Sequence, residues 1–265
     1  MIDFWTDWPK AVKDTLKAFK KSITGKEITE VKRRGKNILI FFENDLVVLI
    51  HLKMTGHLLL KNGQADKEGY FNDRVNQFIH HIWYLSCKKN NFTLEFSDMR
   101  KFGKIKFFWN GGQEKVKEIS SLGEEPLSSS FTLKKFKKLI SKRGKSNIKM
   151  LLLDQNLIAG IGNIYACEIL FEAGVNPQRK AESLSFEETK RIHFFIKEVL
   201  KKAVKHRGTS DSDYRDTSGA PGGFQNYLKV YNRKGEECLN KNCNCKIEKI
   251  KIGQRGTYWC PSCQK

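Results

Sequence analysis

Five of the seven cysteines lie between Cys238 and Cys263, within the last 28 positions, and no other feature constrains the chain as much. A segment that short has too little core to hold a fold by packing alone. Cys260-Pro-Ser-Cys263 is a two-residue knuckle, and Cys238 with either Cys243 or Cys245 supplies the other half. Four thiolates from two knuckles suit one tetrahedral zinc ion, whose binding energy becomes folding energy. The competing explanation, a disulfide framework, belongs to secreted proteins. Here Met1 leads into Ile2-Asp3-Phe4-Trp5, with no basic region followed by an apolar one, so a cytoplasmic chain with reduced thiols is expected. Cys87 and Cys167 sit among apolar neighbours and read as small core residues.

Charge points to a partner. Against 29 Asp+Glu stand 49 Lys+Arg, a net charge of +20 over 265 residues. Such an excess favours a polyanion through long-range attraction and counterion release. A lysine-rich solvated surface would give the same count, so charge alone only tilts the reading toward nucleic acid. No membrane partner is expected, because the longest apolar runs, Leu46–Leu52 and Met150–Leu153, are far too short to span a bilayer.

The texture of the chain changes along its length. Residues 10–22 read as a basic helix. Short β-like runs follow at Asn37–Phe42, Leu46–Leu52, His81–Leu85, Phe92–Phe96 and Ile105–Trp109, separated by Gly, Asn and Lys as in an antiparallel sandwich or barrel. Leu122–Ser130, with Pro126 and three serines, reads as a connection. Helical patterns then take over. Thr132 caps a helix to Ser141, Ile148–Gln155 is a second, and Asn163–Ala173 a third that Gly174 ends. Ser185-Phe-Glu-Glu188 is a capping box opening a long helix with Ile192, Ile196, Val199 and Ala203 on one face. Residues 208–226 are polar and glycine-rich, a loop of functional length.

Several segments, in order from about Trp8 to Lys265, together resemble the formamidopyrimidine-DNA glycosylase family (the Fpg/endonuclease VIII superfamily). Leu151-Leu-Leu-Asp-Gln155 with Ile158-Ala-Gly-Ile-Gly-Asn-Ile-Tyr165 and Glu168 looks like its helix–two-turn–helix. Arg33-Arg-Gly-Lys36, His51-Leu-Lys-Met-Thr-Gly56 and Asp98-Met-Arg-Lys-Phe-Gly103 look like its β-domain motifs. Gly253-Gln-Arg-Gly-Thr-Tyr-Trp-Cys260 looks like its zinc-finger hairpin.

The resemblance implies roles. Met54, Arg100 and Phe102 match side chains that wedge into the duplex and fill the gap left by an everted base, a task suited to a thioether, a guanidinium and a ring. His80, Arg100 and Arg143 match contacts to DNA phosphates, and Lys149 falls with them. Asn163, at a helix start behind two glycines, is placed to hold a phosphate. Lys36 matches a lysine assisting proton transfer at the abasic sugar, and Arg255 a finger arginine reaching the lesion-side phosphates. The segment Gly208-Thr-Ser-Asp211 to Gly222-Gly-Phe224 resembles the loop covering oxidised purines. Sixteen residues intervene between Cys243 and Cys260, the family's spacing, so the resemblance assigns zinc to Cys238, Cys243, Cys260 and Cys263 and leaves Cys245 free.

Departures are equally informative. Family members begin with a proline whose amine attacks C1′, followed by a glutamate that moves protons. Met1 is followed by Ile2, and Pro9 is internal, without a free amine. The chain as written is therefore expected to lack a first strand and helix and to be inactive as a glycosylase. Met99 and Lys101 stand where the family often has Pro and Arg, and four residues rather than two separate Cys238 from Cys243.

The expectation is an α+β protein in four stretches: a β-sandwich domain over 1–121, a linker over 122–131, a helix–two-turn–helix domain with the lesion-covering loop over 132–226, and a zinc finger over 227–265. Its expected function is base-excision repair by a monomeric, nucleoid-associated glycosylase/AP lyase. Its substrate would be double-stranded DNA carrying an oxidised purine (8-oxoguanine, a formamidopyrimidine) or an abasic site, nicked by β,δ-elimination. The alternative is a damaged-DNA-binding protein without chemistry. A ribosome-associated zinc protein would explain charge and cysteines but not the ordered β-domain motifs.

Overall fold

The computed structural model describes residues 1–13, 15–43, 45–62, 69–88, 90–112, 116–211 and 213–265. They fall into two compact units, Met1–Ser120 with Arg207–Gln225, and Ser121–His206 with Asn226–Lys265.

The first unit is a pair of four-stranded antiparallel sheets. One has the order β1 (Asp3–Thr6), β6 (Ile79–Cys87), β7 (Asn90–Ser97), β5 (His57–Lys61). The other runs β2 (Ile28–Arg34), β3 (Asn37–Phe42), β4 (Leu46–His51), β8 (Lys104–Trp109). Phe4, Trp83 and Phe96 from the first sheet and Ile40, Val48, Ile50 and Ile105 from the second form one buried cluster. Helix α1 (Leu16–Ile23) adds Phe19 and Ile23, with the Phe19 ring edge-on to Phe4 at 4.9 Å. Strand β4 is apolar from Leu46 to Ile50 because both faces are covered there. Val48 and Ile50 face the main cluster, whereas Val47 and Leu49 join Leu39, Phe41, Phe108 and Ile119 of the short helix α2 (Lys117–Ser120).

Three strands carry no readable alternation. In β2 the residues between Ile28 and Arg34 are exposed, as suits a charged edge strand; β1 and β5 are short. The basic helix expected over 10–22 is shorter and displaced. Pro9–Ala11 makes a 3-10 turn, Val12 pairs with Ile105, and α1 begins only after Thr15, whose hydroxyl accepts from the Ala18 N–H. Proline suits the first residues of such a turn, and the extended Val12 breaks the run.

The second unit is built around α5 (Asn163–Glu172). Every residue from Ala166 to Phe171 is buried, so this helix is central rather than amphipathic. It ends where Gly174 adopts φ +68°, the Val175 N–H bonding to Leu170 O and the Gly174 N–H to Phe171 O. That paired closure requires a left-handed residue, hence the glycine. Against it pack α4 (Ile148–Leu153) and the twenty-residue α6 (Phe186–Lys205), and α3 (Leu133–Lys142, capped by Thr132) packs on α6. Ser185 and Glu188 close the expected capping box, and Ile192, Ile196, Val199 and Ala203 form the buried face. The stretch 122–131 belongs to this unit: Phe131 is fully buried and Glu124 bridges Ile158. Residues 207–225, which the sequence reading attaches to the helices, group with the sandwich. A two-stranded hairpin, β9 (Glu248–Ile252) and β10 (Arg255–Trp259), completes the chain. Among the described residues no helix is long and apolar enough to cross a membrane.

Candidate functional site

On the sandwich unit, two loops that follow β4 and β7 present Met54 and the group Met99, Arg100 and Phe102. Met54, Phe102 and Met99 are exposed at 63%, 50% and 41%, large values for apolar side chains on an otherwise packed unit. The Arg100 guanidinium lies 4.6 Å over the Phe102 ring. One buried carboxylate holds both loops. Asp98 accepts from the Thr55 hydroxyl through Oδ1 and from the Gly103 N–H at 2.7 Å through Oδ2, while the Thr55 hydroxyl accepts from the Arg100 N–H at 3.2 Å. Gly56 and Gly103 lie against the Phe96 ring so closely that an added Cβ would come within 2.6 and 2.4 Å of it. These exposed side chains thus stand on a rigid buried base.

Lys36 occupies the two-residue turn between β2 and β3, where Gly35 at φ +57° supplies the positive angle hairpin turns need. The strand register sets Asn37 and Lys104 opposite His51. Burial, and then the charges of Lys53, Lys36 and Lys104, push the His51 imidazole down to about 4. His51 is therefore neutral at pH 7, and its Nδ1 accepts the Lys53 N–H at 3.0 Å. His80 is nearly buried, its Nδ1 bonded to the Asp7 carboxylate at 2.9 Å. Burial also pushes the neighbouring His81 down to about 4.

The loop over 207–225 is pinned to this unit by buried polar groups. Fully buried Asn76 donates to Gly219 O at 3.1 Å and Tyr70 O at 2.7 Å, and its Oδ1 meets His57 Nε2 at 2.8 Å. Arg215 binds Asp73 through Nε at 2.9 Å and Nη2 at 2.6 Å, which holds the Asp73 carboxyl below its usual range.

On the helical unit, α4, a tight double turn and α5 form the second feature. Gln155 organises the turn, donating to Leu153 O and Ile161 O and accepting the Gly160 N–H, each at 2.9 Å. Gly162 precedes α5 without a side-chain cap, leaving first-turn N–H groups to meet an anion. Asn163 Nδ2 donates to Gly256 O at 2.9 Å in the finger hairpin, while its buried Oδ1 has no partner. Gly253 and Gln254, both at positive φ, turn that hairpin, and a Cβ on Gly253 would collide with the Met150 sulfur. Arg255 follows, exposed. Arg143 is also exposed, at the C-cap of α3, among Lys137, Lys142 and Lys145 around an open groove. Lys149 differs from the expectation. It is fully inside, its Nζ bonded to the Thr257 hydroxyl and, at 3.3 Å, to Gly256 O, and burial lowers its pKa. A side chain without exposed surface does not meet a phosphate; Lys149 braces the hairpin from behind.

The sulfurs of Cys238, Cys243, Cys260 and Cys263 all lie within 4.8 Å of one another. Cys238 to Cys263 is 3.8 Å and Cys243 to Cys260 is 3.6 Å. Four thiolates about 2.3 Å from one zinc stand roughly 3.8 Å apart, so the geometry fits. Burial pushes the Cys238 thiol up to about 12, whereas the Cys245 backbone N–H brings Cys243 down to about 7. Zinc supplies the positive charge that keeps all four ionised. Cys245 lies outside the four, its sulfur 3.7 Å from Lys246 O.

Three family profiles match in succession: the formamidopyrimidine-DNA glycosylase N-terminal domain over residues 3–105, its H2TH domain over 122–214, and the zinc finger found in FPG and IleRS over 235–265. The formamidopyrimidine-DNA glycosylase of Pelotomaculum thermopropionicum is 40% identical over 258 residues, 97% of this chain and 88% of the relative. This chain belongs to the formamidopyrimidine-DNA glycosylase family. The Listeria monocytogenes member is 40% identical over 92% of this chain and 84% of its own length. Solved structures agree. Lactococcus lactis Fpg in complex with abasic-site DNA superposes with a TM-score of 0.84 at 32% identity, covering 100% of this chain and 92% of that one. Its complex with FAPY-dG DNA gives 0.83 at 31%, with the same coverage.

The chain is thus a DNA-repair glycosylase with one structural zinc. Within the glycosylase fold, sequence reasoning missed His51, Asp98 and Asn76 as members of the site's framework. The first two lie inside quoted motifs, where the spacing of exposed residues drew attention from the buried ones. Asn76 has no local pattern at all. Glu168, quoted only as part of a motif, is buried and accepts the N–H groups of Lys229, Val230 and Tyr231 at 2.8 to 3.0 Å, tying α5 to the start of the finger.

Proposed function

We propose that the protein removes oxidised purines, 8-oxoguanine and formamidopyrimidines, from double-stranded DNA and nicks the abasic strand by β,δ-elimination. The observation that carries this reading is the wedge: three exposed side chains, Met54, Arg100 and Phe102, fixed by the buried Asp98. Exposed apolar groups on so rigid a base suit the gap left by an everted nucleotide. The abasic-site and FAPY-dG complexes of the Lactococcus lactis relative support the same substrate class. Lys36 and neutral His51 serve the sugar and its phosphates, Asn163 with the α5 N-terminus takes a backbone phosphate, and Arg255 takes the lesion-side phosphates. The chemistry is attack of an amine on C1′ with cleavage of the C1′–N bond and departure of the base with a proton; the sugar ring then opens to an imine, from which β,δ-elimination expels the 3′ and 5′ phosphates. The loop over 207–225 covers the purine. The protein acts as a monomer in the cytoplasm, on the nucleoid.

A second reading is recognition of damaged DNA without excision, for which the exposed Met54, Arg100 and Phe102 on their buried base would suffice. Single-turnover incubation with an end-labelled 8-oxoguanine duplex separates the two readings. Loss of the base with phosphate on both ends of the gap supports the enzyme. Tight, lesion-selective binding with uncut strands supports the binder.

A further inference from the structure

We infer that a lysine-lined groove on the sandwich unit, beside the wedge, is a binding site for consecutive phosphates of a DNA strand. The inference rests on the duplex-DNA reading above and adds residues which that reading does not use. The groove has a volume of about 460 Å³ and is lined by Trp8, Lys10, Lys13, Lys53, Lys101 and Lys104, with Phe102 at one end. Among the described residues no carboxylate lines it.

Elsewhere on the same unit several lysines are paired: Lys20 with Asp3, Lys26 with Glu43, Lys32 with Glu30, Lys61 with Glu95, Lys106 with Glu118. In the groove Lys101 approaches Asp7 at 4.0 Å, and Lys53 and Lys104 feel the charge of Glu118, but among the described residues Lys10, Lys53 and Lys104 make no ion pair within 4 Å. Gathering like charges in a concavity is unfavourable for the free protein and favourable once a polyanion enters.

The backbone is committed to the arrangement as well. Lys53 and Lys101 sit at φ +59° and +55°, which residues with a side chain rarely adopt and which concentrates at functional positions. Trp8 orients two of the amines, Lys101 Nζ at 4.9 Å and Lys10 Nζ at 5.5 Å from its ring centroid. Burial and the charge of Lys104 lower the Lys53 pKa, consistent with packed rather than freely solvated amines. Because Phe102 is both a wedge residue and a wall of the groove, a strand passing the wedge runs directly into it. An open groove with five amines suits a run of phosphodiesters better than one small anion, and phosphates fix register without reading sequence.

The test compares the intact chain with a Lys10→Ala/Lys13→Ala/Lys104→Ala variant by anisotropy on abasic-site and undamaged duplexes across a salt series. A second triple variant, Lys20→Ala/Lys26→Ala/Lys32→Ala, removes the same charge from paired positions. The groove variant should bind both duplexes more weakly by a similar factor, and its log–log salt slope should shrink by about 2 to 3, close to 0.9 per lost phosphate contact. The paired variant should keep the parental slope. Equal slopes for the parent and the groove variant, or equal reductions in both variants, would overturn the site. Saturable binding of inorganic phosphate that only the groove variant loses, with the DNA slope intact, would assign the groove to a free anion. A parent chain that binds neither duplex would remove the functional reading first, and this site with it.

Discussion

The sandwich and the zinc finger solve the same problem, holding exposed groups still, with different physical means. The sandwich buries Phe4, Phe19, Trp83 and Phe96 completely between its sheets, each worth about 1.5–3 kcal/mol of burial. It can therefore afford an exposed wedge on top. The finger shares a small cluster with α5, namely Cys167, Phe171, Val230, Ile247 and Tyr258 beside its own cysteines, and rigidity there comes from four thiolates on one ion. One region is stabilised by area, the other by coordination, and the two should fail under different insults.

Metal removal should give the largest contrast. Structural zinc sites bind with apparent energies on the order of 10 kcal/mol, which in a finger is folding energy. Chelation should melt the β9–β10 hairpin and abolish DNA binding, while near-ultraviolet signals from buried Trp83 persist. Cys243→Ser should lose zinc and Cys245→Ser should keep it by metal analysis. The reverse pattern would show the wrong fourth ligand. Next come the buried polar hubs, one in each unit. Asp98→Ala and Lys149→Ala each strand buried partners and should cost about 3 kcal/mol in urea unfolding. A loss under about 1 kcal/mol for either would mean that its loops or hairpin are held by other contacts.

Acid should separate the units more gently. His51 and His81 are pushed from 6.5 down to about 4, mainly by burial, and His57 is lowered as well; all three lie in the sandwich. Between those values the unfolded chain binds protons that the folded unit refuses. Sandwich stability should thus be complete above about pH 6.5 and decline steadily toward pH 4. A flat stability from pH 7 to 4.5 would contradict buried, neutral imidazoles. The smallest effect belongs to the loop. Arg215→Ala should leave global stability within about 1 kcal/mol, because its pair with Asp73 is partly exposed. It should nevertheless raise hydrogen exchange at 214–220, and unchanged exchange there would show that Asn76 alone holds the loop.

Periodicity and punctuation made much of this legible in the chain. Strand β3, the Thr132 and Ser185 caps and the Gly174 stop follow from local rules that tertiary packing did not override. Spacing grouped the cysteines, and the ordered motifs pointed to Met54, Arg100 and Phe102, which the structure leaves exposed. What stayed hidden is non-local. The exposed edge strand β2 has no buried face to set a pattern, and Lys149 reads as an ordinary surface cation until the hairpin, more than a hundred residues later, closes over it. The attachment of 207–225 to the sandwich depends on Asn76 and Asp73, whose partners are 142 to 143 positions away.

The most direct test of the central claim, that the wedge reads the gap at a lesion, is the binding preference for an abasic-site duplex over an undamaged one at fixed salt. A preference of about fivefold or more is expected for the intact chain, since about 1–3 kcal/mol of base-stacking contact separates the two ligands. Met54→Ala/Phe102→Ala should collapse this preference while leaving the salt slope unchanged, because neither side chain touches a phosphate. A double variant that retains the full preference would contradict the claim, whatever its effect on overall affinity.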